Sequence, residues 1–190
     1  MKGKKRERII RVLLNEPDGS LTKYRVAKNA GTSISWTIEY LRSLEDLKLI
    51  EKTKVKDFEG LLDNWLKISK TPRYFDFFIN DPKSLLRKVK LDYALTTYFA
   101  DTIINGILFP SRADVYIKEQ DFDKWRDELL MRGLMGKGNF RLLINDEHVF
   151  YNRFKINGLW IVSIPQLMID LKREGGVCIQ SYEKMVNKHV

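Results

Sequence analysis

The sequence predicts an α+β protein: a winged helix-turn-helix over residues 1–70, a connecting segment over 71–91 and a small mixed α/β domain over 92–190. Three observations carry that prediction. Two short amphipathic helices are separated only by Gly31, Thr32 and Ser33; lysines alternate with other residues soon after the second of them; and from residue 92 helical and β-rich segments interleave. An apolar fraction of 44% over 190 residues is enough for at least one real core.

The first helix is read from "KKRERIIRVLLNEPDG", where Ile9, Ile10, Val12, Leu13 and Leu14 make a broad apolar face and Pro17 to Gly19 stops it. The second is read from "LTKYRVAKNAG". Leu21, Tyr24, Val26 and Ala27 are expected inward, Lys23, Arg25 and Lys28 outward, and Gly31 supplies a left-handed stop. Thr32 or Ser33 can then accept the unpaired N–H groups of a third helix that runs to about Leu47. That is the spacing of a helix-turn-helix.

The third helix admits two registers. One buries Trp36, Tyr40, Leu41, Leu44 and Leu47 and turns Ile34, Ser35, Ile38, Glu39 and Arg42 outward; the other buries Ile34, Ile38, Leu41 and Glu45. The first is preferred, because an unpartnered buried carboxylate is costly and an outward isoleucine can meet a thymine methyl. Such a helix fits the major groove, with Ser33 and Ser35 at its start either contacting DNA or simply capping, Trp36 at the edge of the core or at a base, and Ile38 and Arg42 on the outer stripe.

Next, "LIEKTKVKDFEGLLDNWLKIS" is expected to form a wing, with a strand over Leu49 to Val55, a turn at Asp57 to Gly60 and a return over "NWLKIS". In that strand Lys52, Lys54 and Lys56 share one face and can lie along a phosphate backbone, while Asp57, Glu59 and Asp63 at the tip oppose such contact. In the connecting segment, an aromatic strand-like stretch containing Tyr74, Phe75, Phe77 and Phe78 is expected to be packed, and a short basic helix follows the turn at Asn80 to Pro82. Beyond it, "DYALTTYFADTIING" is read as a helix, "RADVYIK" as a strand, and "EQDFDKWRDELLMRG" as a helix with Phe122, Trp125, Leu129 and Leu130 inward. "FRLLIN", "HVFYNRF" and "LWIVS" are read as strands, and "IPQLMIDLKREGG" and "IQSYEKMVNKHV" as closing helices.

Catalytic patterns are weak. Two-metal chemistry calls for carboxylates at i and i+2 on one strand face, and this strand offers Asp114 and Tyr116. Asp92, Asp101, Asp121, Asp123 and Asp170 are scattered, and the last two before Asp170 suit a helix start for dipole reasons alone. His148, His189 and Cys178 form no zinc set, "MRGLMGKGNF" lacks phosphate-loop spacing, and Cys178 has no histidine near it in sequence. No enzymatic activity, cofactor or metal is expected. A single cysteine excludes an internal disulfide, the N-terminus does not read as a signal peptide, and no apolar run is long enough for a membrane span, so the expected location is the cytoplasm. The formal charge is +9, of which residues 1–70 carry +6, from 16 Lys and Arg against 10 Asp and Glu. This places the expected polyanion contact in the N-terminal third.

The segments "YALTTYFADTIINGILFPSRADVYI", "LMRGL" and "VFYNRFKINGLWIVSIPQLMIDLKREGG" resemble the AbiEi-like regulators and antitoxins of type IV toxin-antitoxin systems over about residues 92–188. The likeness rests on Gly158, Leu159, Ser163, Pro165, Gln166, Leu167, Asp170 and Leu171, with Ile164 inserted relative to the pattern. Ser35, Trp36 and Thr37 are similar to the "SWT" of archaeal winged-helix proteins. The resemblance implies a domain with a degenerate nucleotidyltransferase fold used for regulation, promoter double-stranded DNA as partner, autorepression and a cognate toxin. The expected function is a sequence-specific DNA-binding transcription regulator, acting as a homodimer. The alternatives are a nucleotidyltransferase that holds its substrate with the winged helix, and an antitoxin acting by direct contact with its toxin.

Overall fold

Helix α1, Lys2–Asn15, buries Ile9, Ile10, Val12, Leu13 and Leu14 almost completely. Each such side chain contributes about 1.5–3 kcal/mol when removed from water. Against α1 pack α2, Lys23–Ala30, and α4, Phe58–Ile68. Arg11, itself only 1% exposed, lies 4.9 Å from the ring of Trp65 on α4. Between α2 and α4 come α3, Ile34–Asp46, and a hairpin of β1, Ile50–Glu51, and β2, Lys54–Val55. This computed structural model describes residues 2–188 and divides into two compact units, one running to Lys70 and including the residues from Val186, the other Thr71–Met185.

The first unit is a helical bundle with a helix-turn-helix-like arrangement, and its hairpin departs from expectation. The reversal lies at Lys52 and Thr53, not at Asp57 to Gly60, and "FEGLLDNWLKI" is α4 rather than a returning strand. The physical reason is capping and period. Asp57 accepts the N–H of Gly60 at 2.8 Å, and Leu61, Leu62 and Trp65 recur at helical spacing. The hairpin is also pinned inward: Thr53, 6% exposed, donates to the carbonyl of Leu21 at 2.6 Å, and Val55 N–H donates to Pro17 at 2.9 Å. Gly19, at φ +83°, leaves no room for a Cβ, which would fall 2.8 Å from that of Lys54.

The second unit carries a seven-stranded mixed sheet in the order β6-β3-β7-β5-β4-β9-β8. Its strands are β3, Arg73–Ile79; β4, Ala94–Thr96; β5, Ala113–Ile117; β6, Gly133–Met135; β7, Phe140–Ile144; β8, Phe154–Ile156; and β9, Leu159–Ile161. The pairs β5/β7 and β4/β9 are parallel and the others antiparallel. Its helices are α5, Pro82–Lys88; α6, Thr97–Ile104; α7, Phe122–Leu130; α8, Ile164–Glu174; and α9, Cys178–Val186. This is a general α+β architecture.

Residues 71–91, read as a connecting segment, are the strand β3 and helix α5 of this unit, and β3 sits inside the sheet between β6 and β7. Of its aromatic residues Phe77 is buried and Phe75 packs on Phe122, but Tyr74 and Phe78 are about half exposed, because strand alternation sends them to the other face. The segment read as one helix from Asp92 begins as β4. "HVFYNRF" is not a strand: Asp146 accepts from His148 N–H at 2.9 Å and starts a 3-10 turn over Glu147–Phe150. On α7, Trp125 and Leu129 are buried while Leu130 is exposed.

The two faces of the sheet differ. Phe77, Phe140, Leu142, Ala113, Val115, Leu95 and Ile161 share one face and are fully buried, with Trp125 of α7 6.4 Å from Phe140 between ring centres. On the other face, paired positions on adjacent strands put Asp76, Arg141, Asp114 and Thr96 in one row. No helix among the described residues is long and apolar enough to cross a membrane.

Candidate functional site

The turn between α2 and α3 is three residues long and depends on Gly31, whose φ of +62° and ψ of +43° close α2 while its N–H donates to Lys28. Thr32 and Thr37 share a hydrogen bond of 2.7 Å, and Thr37, fully buried, donates from Oγ1 to the Ser33 carbonyl at 2.9 Å. These bonds fix the start of α3. Ser33 occupies the cap position without a side-chain cap bond, and the N–H groups of Ile34, Ser35 and Trp36 carry no acceptor among the described residues. By contrast Thr22 caps α2 through the N–H of Arg25.

On α3, Tyr40, Leu41 and Leu44 face the core, and Ser35, Glu39 and Arg42 are exposed with Ile38 half-buried beside them. Ile34 is 39% exposed, as the preferred register requires, but Leu47, expected inside, is 59% exposed. The helix ends first: Lys48 takes φ +59° and Leu49 N–H turns back to Leu44 at 3.1 Å, so the chain leaves before Leu47 can reach the core. Glu45 is half-buried and has a partner, accepting the N–H of Lys52 at 2.7 Å. Trp36 lies on a different flank of α3. It stacks on Tyr40 at 5.6 Å, with Lys5 5.9 Å from its ring and Arg6 5.4 Å from that of Tyr40.

Lys23 is half-buried and Arg25 and Lys28 are exposed on α2. Tyr24, expected inward, is 66% exposed beside them, because Val26, Ala27 and Ala30 already define the buried side of this eight-residue helix. The hairpin lysines do not form a row. Lys52 is in the turn at φ +58°, Lys54 pairs opposite Glu51, and Lys56 lies beyond the strand in an ion pair with Glu51 at 3.1 Å. Asp57, Glu59 and Asp63 cap or lie on α4 and form no wing tip.

In the sheet unit, the polar face opens into a cavity of about 310 Å³. Asp114 is held by Arg112, Nε at 2.5 Å and Nη2 at 2.9 Å, and by the Thr97 hydroxyl. Asp170 of α8 accepts from Thr96 at 2.8 Å, Tyr116 at 2.9 Å, Gln166 at 3.0 Å and Arg173 at 2.8 Å. Burial pushes both carboxyl groups above the ordinary aspartate value, against the pull of their arginines. Thr97, a β-branched residue at φ +49°, is strained at this point of the cavity wall.

Asp114 and Tyr116 do share a strand face, but every carboxylate oxygen of Asp114 is engaged by a protein donor. Asp101 accepts from Leu108 N–H, Asn105 and Ser181 and so ties the end of α6 to α9. Asp92 is held below its ordinary value first by its hydrogen bond from Lys118, at 2.8 Å, and then by Arg153. Asp121 and Asp123 form local ion pairs with Lys124 and Arg126. His148 stacks on Tyr151, His189 lies outside the described residues, and burial pushes the Cys178 thiol up to about 11. Among the described residues no group of three His, Cys, Asp or Glu is placed to hold a metal ion.

Sequence reasoning missed Arg112 and Arg141; a local signal existed only for charges inside the strands, Asp76, Asp114 and Arg141, and not for their meeting. The strands "RYFDFFI", "ADVYI" and "FRLLI" each carry a charged residue inside an otherwise largely apolar stretch. Comparison of the chain with family models, curated proteins and solved structures returned no match.

Proposed function

We propose that the helical unit binds double-stranded DNA and that the protein is a sequence-specific transcription regulator, acting as a repressor or an autoregulating antitoxin. The observation that carries this reading is the short turn at Gly31, which fixes α3 with Ser35, Ile38 and Arg42 on its outer side and leaves three N–H groups open at its start. A second support is charge. Arg25, Lys28, Arg42, Lys52 and Lys54 are exposed and make no ion pair among the described residues.

The corrected hairpin changes the division of labour. Lys23, Arg25 and Lys28 on α2, with Tyr24 beside them, take over the backbone-gripping role first given to a lysine row, while Lys52 and Lys54 contribute from the turn and strand. Trp36, packed between Lys5 and Tyr40, supports α3 from its flank. Two copies on a palindromic operator double the contact that one such unit makes. The AbiEi-like resemblance of the sheet unit supplies the autorepression and toxin-partner part of the proposal. Binding to DNA around the protein's own gene, compared with scrambled duplexes of equal length, tests it. Equal affinity for both refutes sequence-specific regulation, and discrimination lost in Arg42→Ala assigns Arg42 a base edge.

A further inference from the structure

The cavity of the sheet unit is built around arginines whose backs are held and whose fronts are open. Arg141 on β7 is fixed by Asp76, Nε at 2.6 Å and Nη2 at 3.3 Å, and its guanidinium lies 4.2 Å from the ring of Tyr74. Arg112, just before β5, is fixed by Asp114 and by Glu174 at 2.8 Å, and lies 5.1 Å from the ring of Tyr98. Sheet register places Arg141 directly beside Asp114, the carboxylate that holds Arg112, so both guanidinium groups line the same cavity.

The hydrogen-bond inventory is unbalanced. All four carboxylate oxygens of Asp114 and Asp170 accept from protein donors. The Nη1 groups of Arg112 and Arg141, in contrast, donate to no acceptor among the described residues. They are also not sealed away, since no buried side-chain nitrogen lacks a partner. Among the described residues Oε2 of Glu174 is the one lining carboxylate oxygen without a donor, so the spare charge-assisted donors of two arginines beside the saturated Asp114 and Asp170 call for acceptor oxygens from outside, and a rigid guanidinium fork matches a planar or tetrahedral oxyanion.

We propose that this cavity binds a small molecule through a carboxylate or phosphate group seated on Nη1 of Arg112 and Arg141. Its volume of about 310 Å³ suits a metabolite. The strained Thr97 and the cavity-lining Leu143 and Tyr74 complete a wall that is part polar and part apolar.

Calorimetric titration of the full chain with inorganic phosphate and, separately, with malonate tests the proposal, with chloride as ionic-strength control. One of the two anions saturates a single site: phosphate assigns a phosphorylated ligand and malonate a carboxylate. Arg141→Gln weakens that binding by about tenfold to a hundredfold, and Arg141→Lys restores it only in part, because an ammonium lacks the fork. Asp76 stays 23% exposed, so the substitution strands no sealed charge. If Arg141→Gln does not fold, the guanidinium N–H resonances of Arg112 and Arg141 in the unaltered protein provide the readout and shift saturably with the anion. Absence of saturable heat and of such shifts with both anions overturns the proposal, as does undiminished affinity in a folded Arg141→Gln protein.

Discussion

Lys23, Arg25, Lys28, Arg42, Lys52 and Lys54 of the helical unit have no carboxylate within ion-pair distance among the described residues, whereas Arg112, Arg141, Arg153 and Arg173 of the sheet unit are each tied to one. The difference matches the two uses proposed for the same charge. A long polyanion is met by many mobile, hydrated cations whose contribution is additive and screened by salt. A small anion needs few cations held in fixed geometry, and the carboxylates behind Arg112 and Arg141 supply that rigidity. The net charge of the chain therefore says less about partners than the pairing of each cation does.

The largest effect expected from disturbing the paired side is Asp170→Ala. It leaves Thr96, Tyr116, Gln166 and Arg173 without their shared acceptor and destabilises the sheet unit by about 3–5 kcal/mol in a urea melt. A loss under about 1 kcal/mol shows that the network is dispensable.

On the unpaired side the expected change is in binding and not in folding. Replacing Lys23, Arg25 and Lys28 together by alanine lowers the steepness of log affinity against log salt by about 2–3 units, similarly on all duplexes. Its melt stays near that of the parent protein, since no ion pair is lost. A steep salt slope retained in the triple variant moves the phosphate contact elsewhere.

The pH response sharpens the contrast further. Asp114 and Asp170 are raised above 3.8 by burial, so between that value and their folded values the folded chain holds protons that the unfolded chain has released. Their contribution to stability is full below this window and declines as pH rises through it. Asp92, lowered first by Lys118, contributes in the opposite sense, with stability present above 3.8 and lost as pH falls. Urea melts over a pH series of Asp114→Asn and the parent protein check this, with the variant losing part of the decline; superimposable pH profiles contradict it.

The smallest effect concerns the hairpin. Glu45→Ala removes the acceptor of the Lys52 N–H and costs about 1 kcal/mol, most of which Glu45→Gln recovers. An equal loss in both variants shifts the credit from the hydrogen bond to the charge.

The helix-turn-helix-like arrangement was legible because Gly31 and the apolar periods of its helices are local signals. The hairpin was misread because Gly60 looks like a turn residue when taken alone. Its role as the donor to the Asp57 cap appears only when Leu61, Leu62 and Trp65 are counted together as a helical face. The strand β4 was hidden in "DYALTTYF" because three residues are too few for a period of two to emerge. The arginine cavity was out of reach for a different reason. Asp76, Asp114 and Arg141 become neighbours only through strand order and register, which no local pattern encodes. Gln166 and Asp170 stand one helical turn apart in "IPQLMIDL", and that spacing lets the Gln166 amide donate to Asp170 at 3.0 Å.

The DNA-binding proposal rests on cations without ion-pair partners among the described residues around a fixed, outward-facing α3. Titration of the purified full chain with duplexes from around its own gene, at rising salt concentration, tests this most directly. The expected result is tight association whose log affinity falls linearly with log salt and which scrambled duplexes match only weakly. Association with no duplex at any salt concentration, or affinity indifferent to salt, contradicts it.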